Sequence, residues 1–310
     1  MKKVLITDGV HPILIEELTT AGFDCDYQPG IKLERVHEIV GGYVGMIINS
    51  KIKVDKRMLD NAIQLTFIGR LGSGMEIIDL KYAAQKNVAV YGAPEGNCNA
   101  VGEHSLGMLL ALANKLNRAD REVRKKVWRR EANRGFELMG KTIGVVGFGH
   151  TGVSFTKKLG GMEVNVLAYD KYKKHYADSY RYVTEVHLER LQKESDIISF
   201  HLPLSEETHH FVDQDFIKNC KDGVILINTS RGQVIKTDAL ISSLNSGKVA
   251  GACLDVFENE KPATFTSEED QKYARLYDFE QVVLTPHVAG WTVESKKRLA
   301  TVLLEKILKK

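Results

Sequence analysis

Residues 141–152 read Lys141-Thr-Ile-Gly-Val-Val-Gly147-Phe-Gly149-His-Thr-Gly152, a short apolar run that ends in three glycines with GxGxxG spacing. This pattern predicts a strand, a tight turn and the start of a helix. Gly147 would allow the turn, Gly149 would let the main chain approach a pyrophosphate, and Gly152 would let the helix pack closely on its strand. The first N–H groups of such a helix attract phosphate, because they lack helical partners and carry the positive end of the dipole. We therefore expect a dinucleotide-binding unit.

A single acid indicates which dinucleotide to expect. The apolar run Val164-Asn-Val-Leu-Ala-Tyr predicts the second strand of the unit, and Asp170 follows it directly. At that position a carboxylate can accept a hydrogen bond from a ribose 2′-hydroxyl, and its charge would repel a 2′-phosphate. The sequence thus favours NAD over NADP.

The composition is typical of a metabolic protein with two hydrophobic cores. The chain has 310 residues, 43% of them hydrophobic, which is more than one core usually organises. Its 43 basic and 40 acidic residues leave a net charge of +3, so we expect neither nucleic acid nor a membrane as partner. Cys25, Cys98, Cys220 and Cys253 are scattered, which predicts no disulfide framework and no metal site. Pro12 and an acid come too early for a signal peptide, which indicates a cytoplasmic protein.

Short apolar runs alternate with helical patterns along the chain. Before the glycine motif the expected strands are 4–7, 44–48, 65–68 and 88–91, and the expected helices are 12–18, 33–40, 55–62 and 79–86. After Gly140 the expected strands are 143–146, 164–169, 196–200, 224–228, 251–256 and 282–285. Such alternation is typical of parallel sheets with helices on both faces. The sequence predicts an α/β protein with two parallel sheets, the second a six-stranded Rossmann sheet.

Three further segments carry structural predictions. The stretch Asn99–Asn117 is apolar on nearly every face, which predicts a buried helix between domains, at a dimer interface or in an ordinary core. Thr292 is the expected N-cap of a closing amphipathic helix. The polar, acidic stretch Thr266–Lys272 is expected to be a surface loop.

Chemically capable residues follow three of the expected strands, at the sheet edge where open α/β proteins bind ligands. The segments are Asn228-Thr-Ser-Arg231-Gly, Leu254-Asp255-Val-Phe-Glu258-Asn-Glu260 and Thr285-Pro-His287. An enzyme that uses nicotinamide on a hydroxy acid needs a group that moves a proton and a cation that holds the carboxylate. Histidine and arginine suit these two tasks, because imidazole titrates near neutral pH and guanidinium presents a planar pair of donors.

With these motifs the chain resembles the D-isomer-specific 2-hydroxyacid dehydrogenases, and within them the short-form D-3-phosphoglycerate dehydrogenases, over essentially its whole length. The matching segments, in order, are Gly69-Arg-Leu-Gly-Ser-Gly74, Pro94-Glu-Gly-Asn97 through Glu103-His104, the glycine motif with Asp170, His201-Leu-Pro203-Leu, Asn228-Thr-Ser-Arg231-Gly232, Leu254-Asp-Val-Phe257 and Thr285-Pro-His287. The resemblance implies a Rossmann NAD-binding domain, residues 99–290, inserted into a flavodoxin-like substrate domain, residues 1–98 and 291–310. It also implies that the two domains close around the substrate.

The resemblance implies roles for individual residues. His287 stands in the place of the family's general acid/base, Glu260 in that of its carboxylate partner, and Arg231 in that of the substrate-binding arginine. The implied cofactor contacts are Gly147, Gly149, His150, Thr151, Gly152, Asp170, His201, Leu202, Pro203, Thr229, Ser230, Asp255 and Gly290. The implied substrate contacts are Lys51, Arg70, Ser73, Gly74 and Arg231.

Two departures from the family pattern bear on these roles. A proline usually follows the acid directly, whereas Lys261 stands between Glu260 and Pro262, which bears on the geometry of this loop. Glu258, Asn259 and Lys261 surround Glu260, so a solvated charge cluster is the alternative to a catalytic role. Asn49 replaces an arginine common in phosphoglycerate dehydrogenases, a loss for which Lys51 could compensate.

The expected function is reversible oxidation of a D-2-hydroxy acid by NAD. The first substrate to expect is 3-phospho-D-glycerate, oxidised to 3-phosphooxypyruvate at the start of serine biosynthesis. Glyoxylate or hydroxypyruvate reduction and turnover of other small D-2-hydroxy acids remain alternatives, as does an unusual donor such as formate or phosphite. An NAD(H)-sensing binding protein is an alternative from another class, because transcriptional corepressors also resemble this family. The expected partners are a small 2-hydroxy or 2-oxo acid and a second copy of the chain in a homodimer.

Overall fold

The structure, a computed structural model, describes residues 2–309. The chain divides into two compact units, with one boundary between Cys98 and Asn99 and the other between Gly290 and Trp291. We call the residues outside these boundaries the terminal unit and the residues between them the central unit.

The terminal unit contains a five-stranded parallel sheet. Its strands are β1 Lys2–Ile6, β2 Phe23–Tyr27, β3 Gly45–Ile48, β4 Phe67–Arg70 and β5 Ala89–Gly92. Its helices are α1 Pro12–Thr20, α2 Leu33–Ile39, α3 Lys56–Asn61, α4 Leu80–Gln85 and, at the end of the chain, α12 Val293–Leu308. The strand order β2-β1-β3-β4-β5 is that of flavodoxin-like sheets, as expected.

Strand β2 was not expected from the sequence, which predicted four strands here. Its residues Phe-Asp-Cys-Asp-Tyr alternate between apolar and acidic side chains, and none of them is fully buried. The strand lies at the sheet edge, beside β1 only, so a continuous apolar run is not required of it. Strand β2 therefore lacks the apolar run that marks the other strands of this sheet.

Both faces of the terminal sheet are covered by apolar packing. Val4 and Ile6 of β1 point into one core, which contains Leu14 of α1 and Leu303 of α12. Leu5 points into the opposite core, which is built with α2, α3 and α4. This alternation follows from the two-residue period of a strand.

The central unit contains a seven-stranded parallel sheet. Its strands are β6 Thr142–Val146, β7 Asn165–Tyr169, β8 Val183–Glu185, β9 Ile197–Phe200, β10 Val224–Asn228, β11 Val249–Leu254 and β12 Val282–Leu284. Its helices are α5 Pro94–Ala113, which begins before the unit boundary, α6 Leu116–Arg124, α7 His150–Leu159, α8 Leu188–Glu194, α9 Gln214–Lys218, α10 Thr237–Asn245 and α11 Ser267–Tyr277. The order β12-β11-β10-β9-β6-β7-β8 is the Rossmann order, which starts at β6 and reverses between β6 and β9.

The predicted count of six strands was wrong by one, because β8 is only three residues long and partly exposed. The predicted helix Asn99–Asn117 was displaced. Helix α5 ends at Ala113, and Lys115, in the left-handed region with φ of +52°, separates it from α6. Pro94 stands at the start of α5, where its fixed φ and missing N–H suit the first helical position.

The prediction of a loop at Thr266–Lys272 was also wrong, because α11 begins there. Thr266 and Glu269 form a reciprocal capping box, and three acidic residues in the first turn favour the positive end of the helix dipole. Tyr273 and Leu276 anchor the helix in the core. The acidic composition that indicated a loop is thus a helix-start signal. The closing helix α12 is confirmed, with Thr292 as its N-cap.

None of the helices within residues 2–309 is long and apolar enough to span a membrane.

Candidate active site

The glycine motif forms the turn between β6 and α7. Gly147 has φ of +91°, and a Cβ there would lie 2.4 Å from the carbonyl oxygen of His201. At Gly152 a Cβ would lie 2.0 Å from the carbonyl oxygen of Gly147. At Gly149, in contrast, a Cβ would meet nothing within 4 Å. Two glycines therefore permit tight packing, whereas the third leaves open space beside the main chain.

This open space adjoins the start of a helix and a fixed carboxylate. Gly149 is the N-cap of α7, so no side chain caps that end, and His150 and Thr151 form the first turn. Asp170 follows β7, and its Oδ2 accepts a hydrogen bond of 2.9 Å from the N–H of Phe148. Its Oδ1 accepts from main-chain N–H groups of the loop that follows. An oriented acceptor thus stands beside the glycine turn, as a ribose hydroxyl requires.

His201 does not present its side chain to this turn. The ring is buried against Phe155, with 5.5 Å between ring centroids, and its Nε2 lies 2.9 Å from the Ser199 hydroxyl. Burial lowers the pKa of His201 to about 3, so the imidazole is neutral. Any contact of His201 with a cofactor would therefore be made by its main chain. Leu202 is half-buried and Pro203 is exposed.

The loop after β10 is shaped by one buried amide. Asn228 Nδ2 donates to the carbonyl oxygen of Arg231 at 2.9 Å, and its Oδ1 accepts from the N–H and hydroxyl of Ser230 at 3.0 and 2.7 Å. Arg231 Nη1 also donates to the Ser230 carbonyl oxygen at 2.7 Å. The Thr229 hydroxyl lies 3.0 Å from that of Ser105 on α5. Asn228, which had no assigned role, thus holds the loop that presents Arg231.

The loops after β10 and β11 touch through their main chains. A Cβ at Gly232 would lie 1.9 Å from the carbonyl carbon and oxygen of Phe257, so only glycine fits here. This contact brings the loop that bears Arg231 against the loop that bears Glu260.

His287 and Glu260 form the central contact of the site. The Nδ1–H of His287 donates to Glu260 Oε2 at 2.8 Å. Both side chains are partly open to solvent, 46% exposed for His287 and 38% for Glu260. The hydrogen bond to the Glu260 carboxylate, and then the charge of that carboxylate, raises the pKa of His287 against the opposing effects of burial and of Arg231. A histidine that titrates above its ordinary range thus lies at the surface of the central unit.

Glu260 is correspondingly ionised. Burial by itself would raise the pKa of Glu260, but the hydrogen bond and charge of His287 outweigh it, with help from the Phe257 N–H and the charge of Arg231. The pKa of Glu260 therefore lies below its usual value. The three residues expected to act together do influence one another electrostatically, and the exposed Glu260 carboxylate is hydrogen-bonded to His287.

Asp255 holds the turn that carries His287. Its fully buried carboxylate accepts hydrogen bonds from the N–H groups of Val288 and Ala289 at 2.9 and 2.8 Å and from the Thr285 hydroxyl at 2.6 Å. The N–H of His287 donates to the Asp255 carbonyl oxygen at 2.7 Å. His287 itself has φ of +54°, in the left-handed region that is uncommon for residues other than glycine.

A second histidine supports the same turn and was not assigned a role from the sequence. His104 Nε2 lies 3.0 Å from Thr285 Oγ1. Because the Thr285 hydroxyl proton is donated to Asp255, the imidazole N–H is the donor to Thr285. The sequence showed Glu103-His104 and Thr285-Pro-His287 as two separate motifs. It did not show that His104 and Thr285 are in contact.

We expect Asp255→Ala to lower the free energy of unfolding of the central unit by about 2 to 5 kcal/mol, because three donors lose a charged acceptor and the Ala289 N–H is buried. Urea unfolding followed by near-ultraviolet circular dichroism measures the change. Asp222→Ala is the control, since Asp222 makes only a surface ion pair and is 93% exposed. An Asp255→Ala protein as stable as the control would show that the turn does not depend on this carboxylate.

The remaining expected substrate residues lie in the terminal unit, after β3, at the end of β4 and in the loop that follows β4. Lys51 is exposed and donates to the Pro29 carbonyl oxygen at 2.5 Å. Arg70 ends β4, and its guanidinium covers Gly72, where a Cβ would lie 2.4 Å from Nη1. Ser73 is exposed and Gly74 is buried.

The residue at the position of the common arginine sits beside an acid. The N–H of Asn49 donates to Asp8 Oδ2 at 3.0 Å, and the Thr7 hydroxyl donates to the same oxygen at 2.6 Å. Within residues 2–309 no group of three or more histidine, cysteine, aspartate or glutamate side chains is arranged to hold a metal ion.

The central unit matches a known sequence family. A sequence model of the D-isomer specific 2-hydroxyacid dehydrogenase, NAD binding domain, matches residues 106–289. The chain belongs to this dehydrogenase family. Residues 106–289 are accordingly the family's NAD-binding domain.

The similar proteins are named for several different substrates. D-3-phosphoglycerate dehydrogenase of Archaeoglobus fulgidus is 34% identical over 306 residues, which cover 99% of this chain and 56% of that protein. Hydroxypyruvate reductase of Thermotoga maritima is 36% identical over 264 residues, which cover 85% of this chain and 83% of that protein. The crystal structure of D-lactate dehydrogenase from Aquifex aeolicus complexed with NAD and lactic acid superposes with a TM-score of 0.86 at 28% identity, covering 99% of this chain and 94% of that one. This chain thus spans little more than half of the first relative.

The geometry of the central unit fits the NAD of this family. Open space at Gly149, the start of α7 without a capping side chain and the oriented Asp170 carboxylate are features that a pyrophosphate and a ribose would use. Gly290 follows Ala289 at the end of the turn that Asp255 holds.

Proposed function

We propose that this chain is an NAD-dependent dehydrogenase of D-2-hydroxy acids. In this proposal Arg231 binds the substrate carboxylate, His287 moves the proton and Glu260 holds and charges His287. The observation that carries this proposal is the hydrogen bond of 2.8 Å between His287 Nδ1 and the ionised Glu260 carboxylate. The positive charge of Arg231 lowers the pKa of both groups. The central unit would hold NAD, and the terminal unit would be the substrate domain.

The hydrogen bond to Glu260 decides which imidazole nitrogen of His287 can exchange a proton with the substrate. Because Nδ1 is bonded to Glu260, Nε2 of His287 is the atom that can take the hydroxyl proton of the substrate. The carboxylate stabilises the imidazolium that results, and in the reverse direction Nε2 returns the proton to the carbonyl oxygen. NAD, when bound, supplies the acceptor for the hydride of the hydroxyl-bearing carbon. The planar guanidinium of Arg231 suits a carboxylate, which it can bind through two parallel hydrogen bonds.

Glu260→Gln should move the pH dependence in a stated direction. Reduction requires the imidazolium of His287, so its kcat/KM falls as pH rises through the pKa of His287, whereas oxidation requires neutral imidazole and rises there. Removing the carboxylate lowers the pKa of His287. The fall of kcat/KM for reduction and its rise for oxidation, the two limbs of the pH profiles, should therefore both move to lower pH. Profiles of kcat/KM against pH in both directions measure the shift. Glu268→Gln, on the exposed start of α11, serves as control. Limbs that coincide with those of the wild type would exclude Glu260 as the partner of His287.

We propose 3-phospho-D-glycerate as the first substrate, supported by the length of the match to phosphoglycerate dehydrogenases and by Lys51 and Arg70 in the terminal unit. Small unphosphorylated acids such as hydroxypyruvate and glyoxylate are the second candidates. Asn49 in place of an arginine, hydrogen-bonded to Asp8, favours them, because a carboxylate at this place repels phosphate.

A substrate panel separates these possibilities. NADH consumption is measured with 3-phosphooxypyruvate, hydroxypyruvate, glyoxylate and pyruvate, and 3-phosphoglycerate is tested with NAD and with NADP. We expect turnover with NAD and the highest kcat/KM for 3-phosphooxypyruvate. Binding of NADH without turnover of any acid would support the NAD(H)-sensing protein instead. A role in serine biosynthesis and a cytoplasmic location stay predictions.

We also propose a homodimer. Large apolar side chains of the central unit that follow α5 are exposed, among them Leu116, Val123, Trp128 and Met139. Clustered exposed apolar residues mark protein interfaces. Sedimentation velocity would show a dimer at micromolar concentration, and a monomer throughout would exclude it.

A further inference from the structure

A second carboxylate in the Glu260 loop is the centre of a network of its own. Glu258 Oε1 lies 2.6 Å from His210 Nε2, and Glu258 Oε2 accepts from the Thr237 N–H at 3.3 Å. Lys272 Nζ lies 3.7 Å from the same Oε2. The Glu258 side chain is only 18% exposed, about half as open as that of Glu260. Three elements therefore converge on it: the loop after β9, the start of α10 and α11.

The main chain of Glu258 is held as well. Its carbonyl oxygen accepts a hydrogen bond of 3.0 Å from Gln233 Nε2. Gln233 lies two positions after Arg231, next to Gly232, whose backbone touches Phe257. The carbonyl oxygen and the carboxylate of Glu258 thus both accept hydrogen bonds from the segment 232–237, which directly follows Arg231.

Glu260, in contrast, has few supports besides His287. Its Oε1 accepts a long hydrogen bond of 3.3 Å from the Phe257 N–H. An ion pair between two partly exposed side chains contributes little energy and does not by itself keep a loop in place. Lys261, which stands before Pro262, also lengthens the loop on the other side of Glu260. The loop is instead held beside Glu260 in the chain: the Asn259 N–H donates to the Tyr273 hydroxyl at 2.9 Å, and Glu258, two residues from Glu260, binds the segment that follows Arg231.

We propose that Glu258 is a positioning residue, which ties the loop 257–261 to the segment after Arg231 and thereby keeps Glu260 hydrogen-bonded to His287. Glu258 acts through Glu260 and has no role of its own in proton transfer. Its effect on catalysis rests on the proposed function, whereas its effect on the contact between Glu260 and His287 does not.

The test is the titration of His287 followed by NMR, which needs no turnover. The chain has 10 histidines, and comparison with His287→Gln assigns the imidazole signal of His287. In Glu258→Ala we expect the titration midpoint of His287 to move to lower pH, because the carboxylate that raises its pKa is held less firmly. In a Glu260→Gln background, Glu258→Ala should cause no further move.

Two results would overturn this role for Glu258. One is a midpoint that stays at the wild-type value in Glu258→Ala. The other is an equal move with and without Glu260, since that would reflect only the lost charge of Glu258. Glu268→Ala removes an exposed carboxylate from the start of α11 and should leave the midpoint unchanged; a move as large as that of Glu258→Ala would also count against positioning.

A milder variant covers the case in which Glu258→Ala does not fold. Glu258→Gln keeps the size and one acceptor oxygen, so a smaller move in the same direction is expected, and no move overturns the role. In the enzyme assay, Glu258→Ala should lower kcat/KM by up to about 10²-fold, the effect of misplacing an acting group by about 1 Å, with unchanged NADH affinity. If the wild type turns over no acid of the panel, the proposed function fails, and the titration still decides the role of Glu258.

Discussion

His287→Ala is expected to lower kcat by about 10²- to 10⁴-fold, because a positioned proton donor and acceptor contributes that much to a reaction of this kind. The measurement is steady-state NADH consumption with the best 2-oxo acid of the panel, at saturating NADH. NADH affinity, measured by fluorescence, should change little. The turn is held by hydrogen bonds from the Val288 and Ala289 N–H groups to the Asp255 carboxylate, and these do not involve the imidazole that the substitution removes.

The backbone at this position calls for a second variant. His287 has φ of +54°, where alanine is strained and asparagine is tolerated. His287→Asn therefore removes the imidazole with less disturbance of the turn, and its kcat should fall as far as that of His287→Ala. A variant of either kind with wild-type kcat would falsify the role of His287.

Arg231→Lys should lower kcat/KM for the 2-oxo acid by about 10- to 100-fold, the effect of losing one charge-assisted hydrogen bond. Lysine keeps the charge but presents a single ammonium, so it cannot reproduce the two parallel hydrogen bonds of a guanidinium to a carboxylate. The loss should appear mainly in KM for the acid. Because the positive charge remains, the pH limb that reports His287 should stay near its wild-type position.

A matched exchange distinguishes this effect from a general one. Arg275 lies on the exposed side of α11, so the control variant Arg275→Lys should have wild-type kinetics. If Arg231→Lys has the same KM as Arg275→Lys, Arg231 does not bind the substrate carboxylate through its planar fork.

Much of the fold was predictable because its signals are local. The glycine spacing after β6 and the apolar run of β7 are read from neighbouring residues, and they correctly predicted the turn between β6 and α7. The predictions failed where a local signal is weak or has two meanings. Strand β8 has only three residues, and the acids after Thr266 suit a helix start as well as a loop.

The candidate site was predictable to the extent that it lies at strand ends. Arg231, Glu260 and His287 follow three strands that are neighbours in the sheet, β10, β11 and β12. Parallel strands end at one edge, so residues that follow them are brought close together. The sequence could not predict that His201 turns its ring into the core, because the contact with Phe155 depends on how α7 packs on the sheet.

The sequence by itself determined the parallel α/β architecture and the glycine turn, since these follow from periodicity and spacing. The candidates for proton transfer and carboxylate binding came from the resemblance to the dehydrogenase family. Only the tertiary structure decided that a buried Asp255 holds His287 in a left-handed turn and that Glu258 anchors the loop of Glu260. The physical reason is that these contacts join loops far apart in the chain. Their geometry exists only after the sheet has brought its strand ends together.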